Sequence, residues 1–207
     1  MSCVIPAVLG IIKLNRVNGK YYPFIFMMIL DVFVELLNFF TGNMEFINLY
    51  LFLTFGLFLY FVNINKYLSK RWMEIFLASA IVLLAFNMLK NGVLSALSYY
   101  EVCFISTILL FVSIDVLSSQ VFSVKISLVK SFWFWFGIGS ILMYGYSLLL
   151  FGLYFFTLKN TPQGKAIGDI WNFVNMLCYV FYSVAILKIP VAKLSFTYKK
   201  GNLINHV

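Results

Sequence analysis

Long apolar stretches separated by short polar connections set the pattern of this chain. A helix needs about 20 apolar residues to cross the roughly 30 Å hydrocarbon core of a bilayer. Six stretches approach or exceed that length and a shorter one precedes them: residues 2–15, 21–40, 46–62, 73–89, 102–117, 132–156 and 166–187. The pattern predicts an all-α polytopic membrane protein, with a bundle of seven transmembrane helices.

The first stretch decides between seven spans and the alternative of six. Its apolar part, residues 1–12, reaches only about 18 Å as a helix at 1.5 Å per residue. It either spans the membrane, with the Lys13 side chain reaching toward the interface, or inserts halfway. Losing this span would move the N-terminus to the other side and leave the remaining helices oriented as before.

Composition agrees with one membrane bundle and no separate soluble domain. Hydrophobic residues make up 63% of the chain and charged residues 11%, against about 25% charged residues in soluble domains. The connections are too short to fold alone, so residues 1–207 form one unit that ends in a basic tail, residues 188–207. Because the net charge of +8 lies at the boundaries of apolar stretches, the lipid bilayer is the predicted partner and nucleic acid is not.

The distribution of basic residues predicts orientation. By the positive-inside rule, cytoplasmic connections carry the excess of Lys and Arg. Three connections and the C-terminal tail lie on one side and hold 12 basic residues: Lys13, Arg16, Lys20, Lys66, Lys70, Arg71, Lys125, Lys130, Lys188, Lys193, Lys199 and Lys200. The opposite side holds 3, namely Lys90, Lys159 and Lys165. The C-terminus is therefore predicted to be cytoplasmic.

Polar residues inside the apolar stretches indicate a candidate site. Asp31, Glu35 and Asn38 follow an i, i+4, i+7 spacing, and so share one face of the second helix. Asn172, Asn175, Tyr179 and Tyr182 share a face of the seventh helix in the same way. Asn48 and Asn87, on the third and fourth helices, fall at a similar outer depth. We expect the two polar faces to meet around a small pocket in the outer half.

The acids in this predicted pocket lack a basic partner at their depth. A buried carboxylate costs several kcal/mol unless it is paired, and acids inside membranes usually face the bundle interior. Three interpretations stay open for Asp31 and Glu35. They are neutral acids that join helices through hydrogen bonds, part of a ligand or ion site open to the outside, or part of a proton path.

Small residues on the sixth helix predict close helix packing. Gly137, Ser140, Tyr144 and Ser147 are spaced i, i+3, i+7, i+10, and stripes of mostly small residues let membrane helices approach each other.

The aromatic residues are predicted to lie at the membrane interface or to face lipid. Trp72, Trp133 and Trp171 lie near span ends, where we expect them at the membrane interface. The numerous Phe residues are predicted to face lipid.

The sequence contains no motif that is typical of a catalytic site. It lacks a phosphate-binding loop, a paired His–Glu zinc motif and a nucleophile elbow. Its cysteines, Cys3, Cys103 and Cys178, have no metal-ligand spacing, and the single histidine, His206, is in the tail. We therefore predict no catalytic residues, no bound metal and no cofactor.

Several local patterns resemble a group of small, uncharacterised seven-helix inner-membrane proteins of bacteria. The residues that carry the resemblance are Ile5-Pro6 with Gly10, Glu35, Phe132-Trp133 with Gly137 and Tyr144, and Trp171-Asn172 with Asn175. A doubled Phe-Trp and a short first segment depart from the pattern. The resemblance implies a sensory or signal-coupling role in the inner membrane, next to a cytoplasmic signalling protein or a second copy. The alternative is a channel or transporter for cations or protons.

Overall fold

Nearly all of the described chain is helical. The computed structural model describes residues 3–41, 47–91, 99–123, 127–153 and 162–190. Within these ranges it has seven α-helices and no strand, and about 92% of the residues are helical. The helices are α1 (Val4–Lys13), α2 (Tyr22–Thr41), α3 (Ile47–Ile64), α4 (Lys70–Asn91), α5 (Tyr99–Ser123), α6 (Phe132–Leu153) and α7 (Pro162–Lys188).

Within the described ranges, four helices are long and apolar enough to cross a membrane, which makes the fold compatible with a membrane protein. The segments are Gly19–Phe40, Tyr100–Phe122, Phe132–Gly152 and Asp169–Lys188, within or around α2, α5, α6 and α7. In α3 the apolar segment Leu49–Ile64 is shorter. The amino-terminal turns of α4 carry Lys70, Arg71 and Glu74, which shorten its uninterrupted apolar part.

The first helix is too short to cross a bilayer by itself and packs on α2 and α7. Its 10 residues extend about 15 Å. A Cβ built on Gly10 would lie 2.9 Å from Cγ2 of Ile25, so the backbones of α1 and α2 approach closely. Lys13 Nζ donates hydrogen bonds to the carbonyl oxygens of Ile186 and Leu187, at 3.0 and 2.8 Å. Lys13 thus binds carbonyl groups at the C-terminal end of α7, where a positive charge is favourable.

The seventh helix begins earlier than the apolar pattern indicates. The predicted segment starts at residue 166, whereas α7 starts at Pro162. Proline is tolerated in the first turn of a helix, because the amide hydrogen that it lacks would have no partner there. The polar residues before the apolar segment therefore continue the helix instead of forming a connection.

Phenylalanine forms much of the core, contrary to the prediction that it faces lipid. Side chains that are fully or almost fully buried include Phe24, Phe55, Phe58, Phe61, Phe132 and Phe136. Phe61 stacks on Trp133 with ring centroids 4.9 Å apart, and Phe24 meets Phe136 edge-on at 5.3 Å. Trp133 is itself buried, although its place near a span end predicts an interfacial position. Other Phe residues, among them Phe33 and Phe111, are exposed as predicted.

A polar network joins three parts of the chain near the ends of α3, α5 and α6. Gln120 Nε2 donates to the Tyr67 hydroxyl at 2.6 Å, and Ser131 Oγ donates to Gln120 Oε1 at 2.8 Å. Burial raises the pKa of the Tyr67 hydroxyl, and the hydrogen bond from Gln120 opposes that rise. Through these hydrogen bonds, the connection between α3 and α4 contacts α5 and the start of α6.

Candidate functional site

Asp31 is a buried carboxyl group in the middle of α2. It lies nine residues from the start of the helix at Tyr22, or about 14 Å along its axis. Its relative exposure is 7%. Because polar groups inside an apolar bundle are costly unless they are hydrogen-bonded, the partners of this carboxyl group determine what it can do.

Two tyrosine hydroxyls, from two other helices, donate to the Asp31 carboxyl group. Tyr50 of α3 donates to Oδ1 at 2.5 Å, and Tyr179 of α7 donates to Oδ2 at 3.5 Å. The first bond is short and the second lies at the outer limit of hydrogen-bond geometry. Asp31 therefore joins α2, α3 and α7 at one point, which we call the Asp31 junction (Asp31, Tyr50 and Tyr179).

Further polar groups extend from the Asp31 junction along α7. The Tyr182 ring lies 6.3 Å from the Tyr179 ring, and its hydroxyl is 3.2 Å from Ser140 Oγ on α6. Each hydroxyl can act as donor or acceptor. Four helices thus contribute polar side chains to one buried line, from Asp31 to Ser140.

Glu35 and Asn38, the other members of the predicted polar face on α2, lie one and two turns beyond Asp31. Glu35 is exposed and interacts with the Cys3 side chain at the start of α1. Asn38 is half-buried. The spacing of polar residues along α2 cannot indicate that Glu35 interacts with Cys3, because Cys3 belongs to another part of the chain.

The predicted polar face of α7 divides into buried and exposed parts. Tyr179 is buried and reaches Asp31, whereas Asn172 is exposed. Asn175 is half-buried, and its Oδ1 atom is inaccessible and has no hydrogen-bond partner. The contact found between the polar faces of α2 and α7 is therefore at Asp31 and Tyr179, deeper than Asn172. Whether Asn38, Asn172 and Asn175 enclose a ligand pocket stays a prediction.

A second buried carboxyl group, which the spacing of polar residues did not single out, lies at the start of α5. Glu101 is 7% exposed, and Asn87 of α4 donates to its Oε2 atom at 3.2 Å. Its Oε1 atom is buried and has no hydrogen-bond partner. A cavity of about 10 Å³ adjoins Glu101, the only polar side chain among the described residues that line it. This is close to the smallest cavity that admits one water molecule.

Asn48, the remaining predicted pocket residue, belongs to the first turn of α3, but its side chain lies outside the described residues. The Glu101 site could have been found by noting that Asn87 and Glu101 flank the connection between α4 and α5. Helix periodicity alone does not indicate this pairing, because the two residues lie on different helices.

The predicted packing stripe on α6 meets three different helices. A Cβ on Gly137 would lie 3.1 Å from Leu117 Cβ on α5. Ser140 contacts Tyr182 on α7, and the Tyr144 ring lies 5.5 Å from the Phe58 ring on α3. Ser147 is buried and donates to the Met143 carbonyl oxygen within α6 at 2.7 Å. Gly139 allows the closest approach to α7, because its Cβ would lie 2.9 Å from Tyr182 Cε1.

The chemistry available at the Asp31 junction is proton exchange and hydrogen bonding. Among the described residues, no group of three or more His, Cys, Asp or Glu side chains is arranged to hold a metal ion. The three cysteines are free thiols. A carboxyl group between two hydroxyls can gain or lose a proton, or accept a hydrogen bond from a ligand.

Comparisons with protein-family models, with curated proteins and with solved structures gave no match to this chain.

Proposed function

We propose that this chain is a non-catalytic integral membrane protein, with a bundle of seven (alternatively six) transmembrane helices, that acts as a sensor or signal-coupling module. The observation that carries the proposal is the Asp31 junction. One buried carboxyl group is hydrogen-bonded to hydroxyls from two other helices. A change at Asp31 therefore acts on the contacts between α2, α3 and α7 together.

The Asp31 carboxyl group can form two alternative sets of hydrogen bonds, one when it is ionised and one when it is neutral. An ionised carboxyl group only accepts hydrogen bonds, whereas a neutral one also donates. Tyr50 can keep its bond in either state by rotating its hydroxyl. The longer contact from Tyr179, at 3.5 Å, is the weaker member and the first to break. Gain of a proton, or of a ligand in the predicted outer-half pocket, would then shift α7 relative to α2.

The proposed setting follows from charge and from the resemblance to bacterial seven-helix proteins. The protein would lie in the bacterial inner membrane with its basic C-terminal tail, residues 188–207, in the cytoplasm. The partner there would be a signalling protein or a second copy of this chain. α7 would connect the two sides, since it carries Tyr179 and ends at Lys188.

A channel or transporter for cations or protons is the second candidate. It is favoured by the nature of the partners of Asp31, which are hydroxyls of Tyr50 and Tyr179 and not basic groups. An acid without a bound countercharge can accept a proton or a cation directly. In this candidate, the line of polar groups from Asp31 to Ser140 would form part of the path.

Reconstitution into liposomes separates the two candidates. Spin labels would be placed at Phe26 of α2 and Val180 of α7, two exposed positions, in a background without the native cysteines. If the protein is a sensor, the distance between the two labels should change between mildly acidic and mildly alkaline buffer, or on ligand addition. Asp31→Asn should remove this change. Ion flux should not exceed that of empty liposomes. Asp115→Asn, at an exposed acid of α5, should keep the change and serves as the control.

Two results would contradict the sensor. Proton or cation flux that Asp31→Asn abolishes would establish the transport candidate in its place. A constant interlabel distance without flux, in a protein that remains folded, would assign Asp31 a purely structural role.

A further inference from the structure

An apolar groove lies between the start of α2 and the end of α3. It has a volume of about 370 Å³ and opens onto the protein surface. Its walls are formed by Tyr22, Pro23 and Phe26 on one side and by Leu57, Tyr60 and Ile64 on the other. From Ile64 to Leu57 the groove runs seven residues along α3, or about 10 Å.

The groove exposes aromatic surface. Tyr22, Phe26 and Tyr60 are 46%, 55% and 46% exposed. Large apolar surfaces that meet in one concave place are typical of a binding site. Tyr22 lies in the first turn of α2 and Phe26 one turn further along the helix. Tyrosine is common where a membrane meets water, because one end of its ring is polar.

The rim of the groove is basic. Lys20 follows Gly19, which lines the groove, and Lys66 lies two residues after Ile64; both lysines are exposed. Asn65 Nδ2 donates to the Lys20 carbonyl oxygen at 3.4 Å, so the two connections that carry these lysines lie side by side. Residues 14–26 and 57–68 contain no Asp or Glu. The rim therefore has a positive charge that its own segments do not neutralise.

We propose that this groove binds an anionic phospholipid. One acyl chain lies between Phe26 and Leu57, and the phosphate group lies at the rim near Lys20 and Lys66. A lysine near a membrane surface contributes on the order of 1 kcal/mol to binding of anionic lipid, which favours an anionic over a zwitterionic headgroup. The inference is independent of the proposed function, and it requires only that the rim lies at a membrane surface.

Native mass spectrometry of the full-length protein in detergent tests this assignment. The protein is titrated with phosphatidylglycerol or phosphatidylcholine that carry the same acyl chains. We expect tighter binding of phosphatidylglycerol, and the double variant Lys20→Gln/Lys66→Gln should weaken that binding on the order of tenfold or more. Binding of phosphatidylcholine should not change. The control is Lys130→Gln/Lys188→Gln, which removes the same charge from exposed residues outside the groove.

A further variant tests whether the groove binds the acyl chain of the lipid. Leu57→Trp fills the groove and should weaken binding of both lipids, while an unchanged melting temperature shows that the fold is retained. The lysine variants keep the proposal testable if Leu57→Trp fails to fold, because Lys20 and Lys66 are exposed.

Three results would overturn the proposal. The first is equal binding of the two lipids by the wild-type protein. The second is a preference for phosphatidylglycerol that survives in the Lys20→Gln/Lys66→Gln variant. The third is displacement of phosphatidylglycerol by equimolar oleate, which would assign the groove to a free fatty acid.

Discussion

Removing the Tyr50 hydroxyl tests whether the Asp31 junction holds three helices together. Tyr50→Phe keeps the ring and deletes the donor that lies 2.5 Å from Asp31 Oδ1. Tyr179→Phe deletes the donor that lies 3.5 Å from Oδ2. The two variants remove the same atom type from the same carboxyl group, so any difference reports the geometry of the two bonds.

The expected magnitudes follow from those distances. Hydrogen bonds between helices in membranes contribute about 0.6 kcal/mol on average and about 1.7 kcal/mol at most. The short Tyr50 bond belongs at the upper end, so Tyr50→Phe should lower the free energy of unfolding by about 1.5 kcal/mol. The Tyr179 contact is at the limit of hydrogen-bond geometry, so Tyr179→Phe should cost about 0.5 kcal/mol or less.

Equilibrium unfolding in mixed detergent micelles measures both free energies. Tyr60→Phe is the matched control, because Tyr60 lies on the same helix as Tyr50 and is 46% exposed; it should change stability by less than about 0.5 kcal/mol. In an Asp31→Leu background the cost of Tyr50→Phe should fall toward zero, since the partner of the hydroxyl is gone.

A cost for Tyr179→Phe equal to or above that for Tyr50→Phe would refute this reasoning. A Tyr50→Phe cost that persists undiminished in the Asp31→Leu background would refute it as well. Either outcome would mean that the carboxyl group does not accept its main hydrogen bond from α3.

The remaining predictions concern helix contacts away from the Asp31 junction. Gly139→Ala should lower stability by about 1–2 kcal/mol, because its Cβ would lie 2.9 Å from Tyr182 Cε1. Gly145→Ala, whose Cβ would lie 3.7 Å from Leu110 Cδ1, should be neutral or stabilising by up to about 1 kcal/mol; equal melting temperatures for the two variants would contradict this. Glu101→Gln keeps an acceptor for Asn87 and removes a carboxyl group with an unpartnered oxygen, so unfolding should show no loss of stability. A loss above about 2 kcal/mol would indicate that the carboxylate itself has a bound partner.

Two members of the Asp31 junction, Asp31 and Tyr179, were singled out from the spacing on single helices, whereas the contacts between the helices were not predictable in this way. The spacing of Asp31 and Tyr179 placed each on a polar face, and the two do meet. The main partner of Asp31 is Tyr50, which no spacing argument selected, because tyrosine near the end of an apolar helix is also typical of the membrane interface. The exposed Asn172 shares the polar face of Tyr179 by spacing, and only the position of neighbouring helices separates the two.

The sequence pattern also does not distinguish buried from exposed aromatic residues. In a soluble protein, apolar periodicity marks the buried face of a helix. In a bundle surrounded by lipid, the buried and the outward faces are both apolar, and hydrophobicity does not distinguish them. Phe24 and Phe26 have the same chemistry, yet Phe24 is 0% exposed and Phe26 is 55% exposed.

The helices, their approximate bounds and the membrane-like character of the chain can be predicted from the apolar pattern alone. The reason is that hydropathy and backbone hydrogen bonding inside a helix are local properties. Which helix faces meet is known only from the folded structure. It placed α1 against α2 and α7, brought Tyr50 to Asp31 and paired Asn87 with Glu101. These contacts depend on the rotation of each helix about its axis and on packing between side chains distant in sequence, which local patterns do not encode.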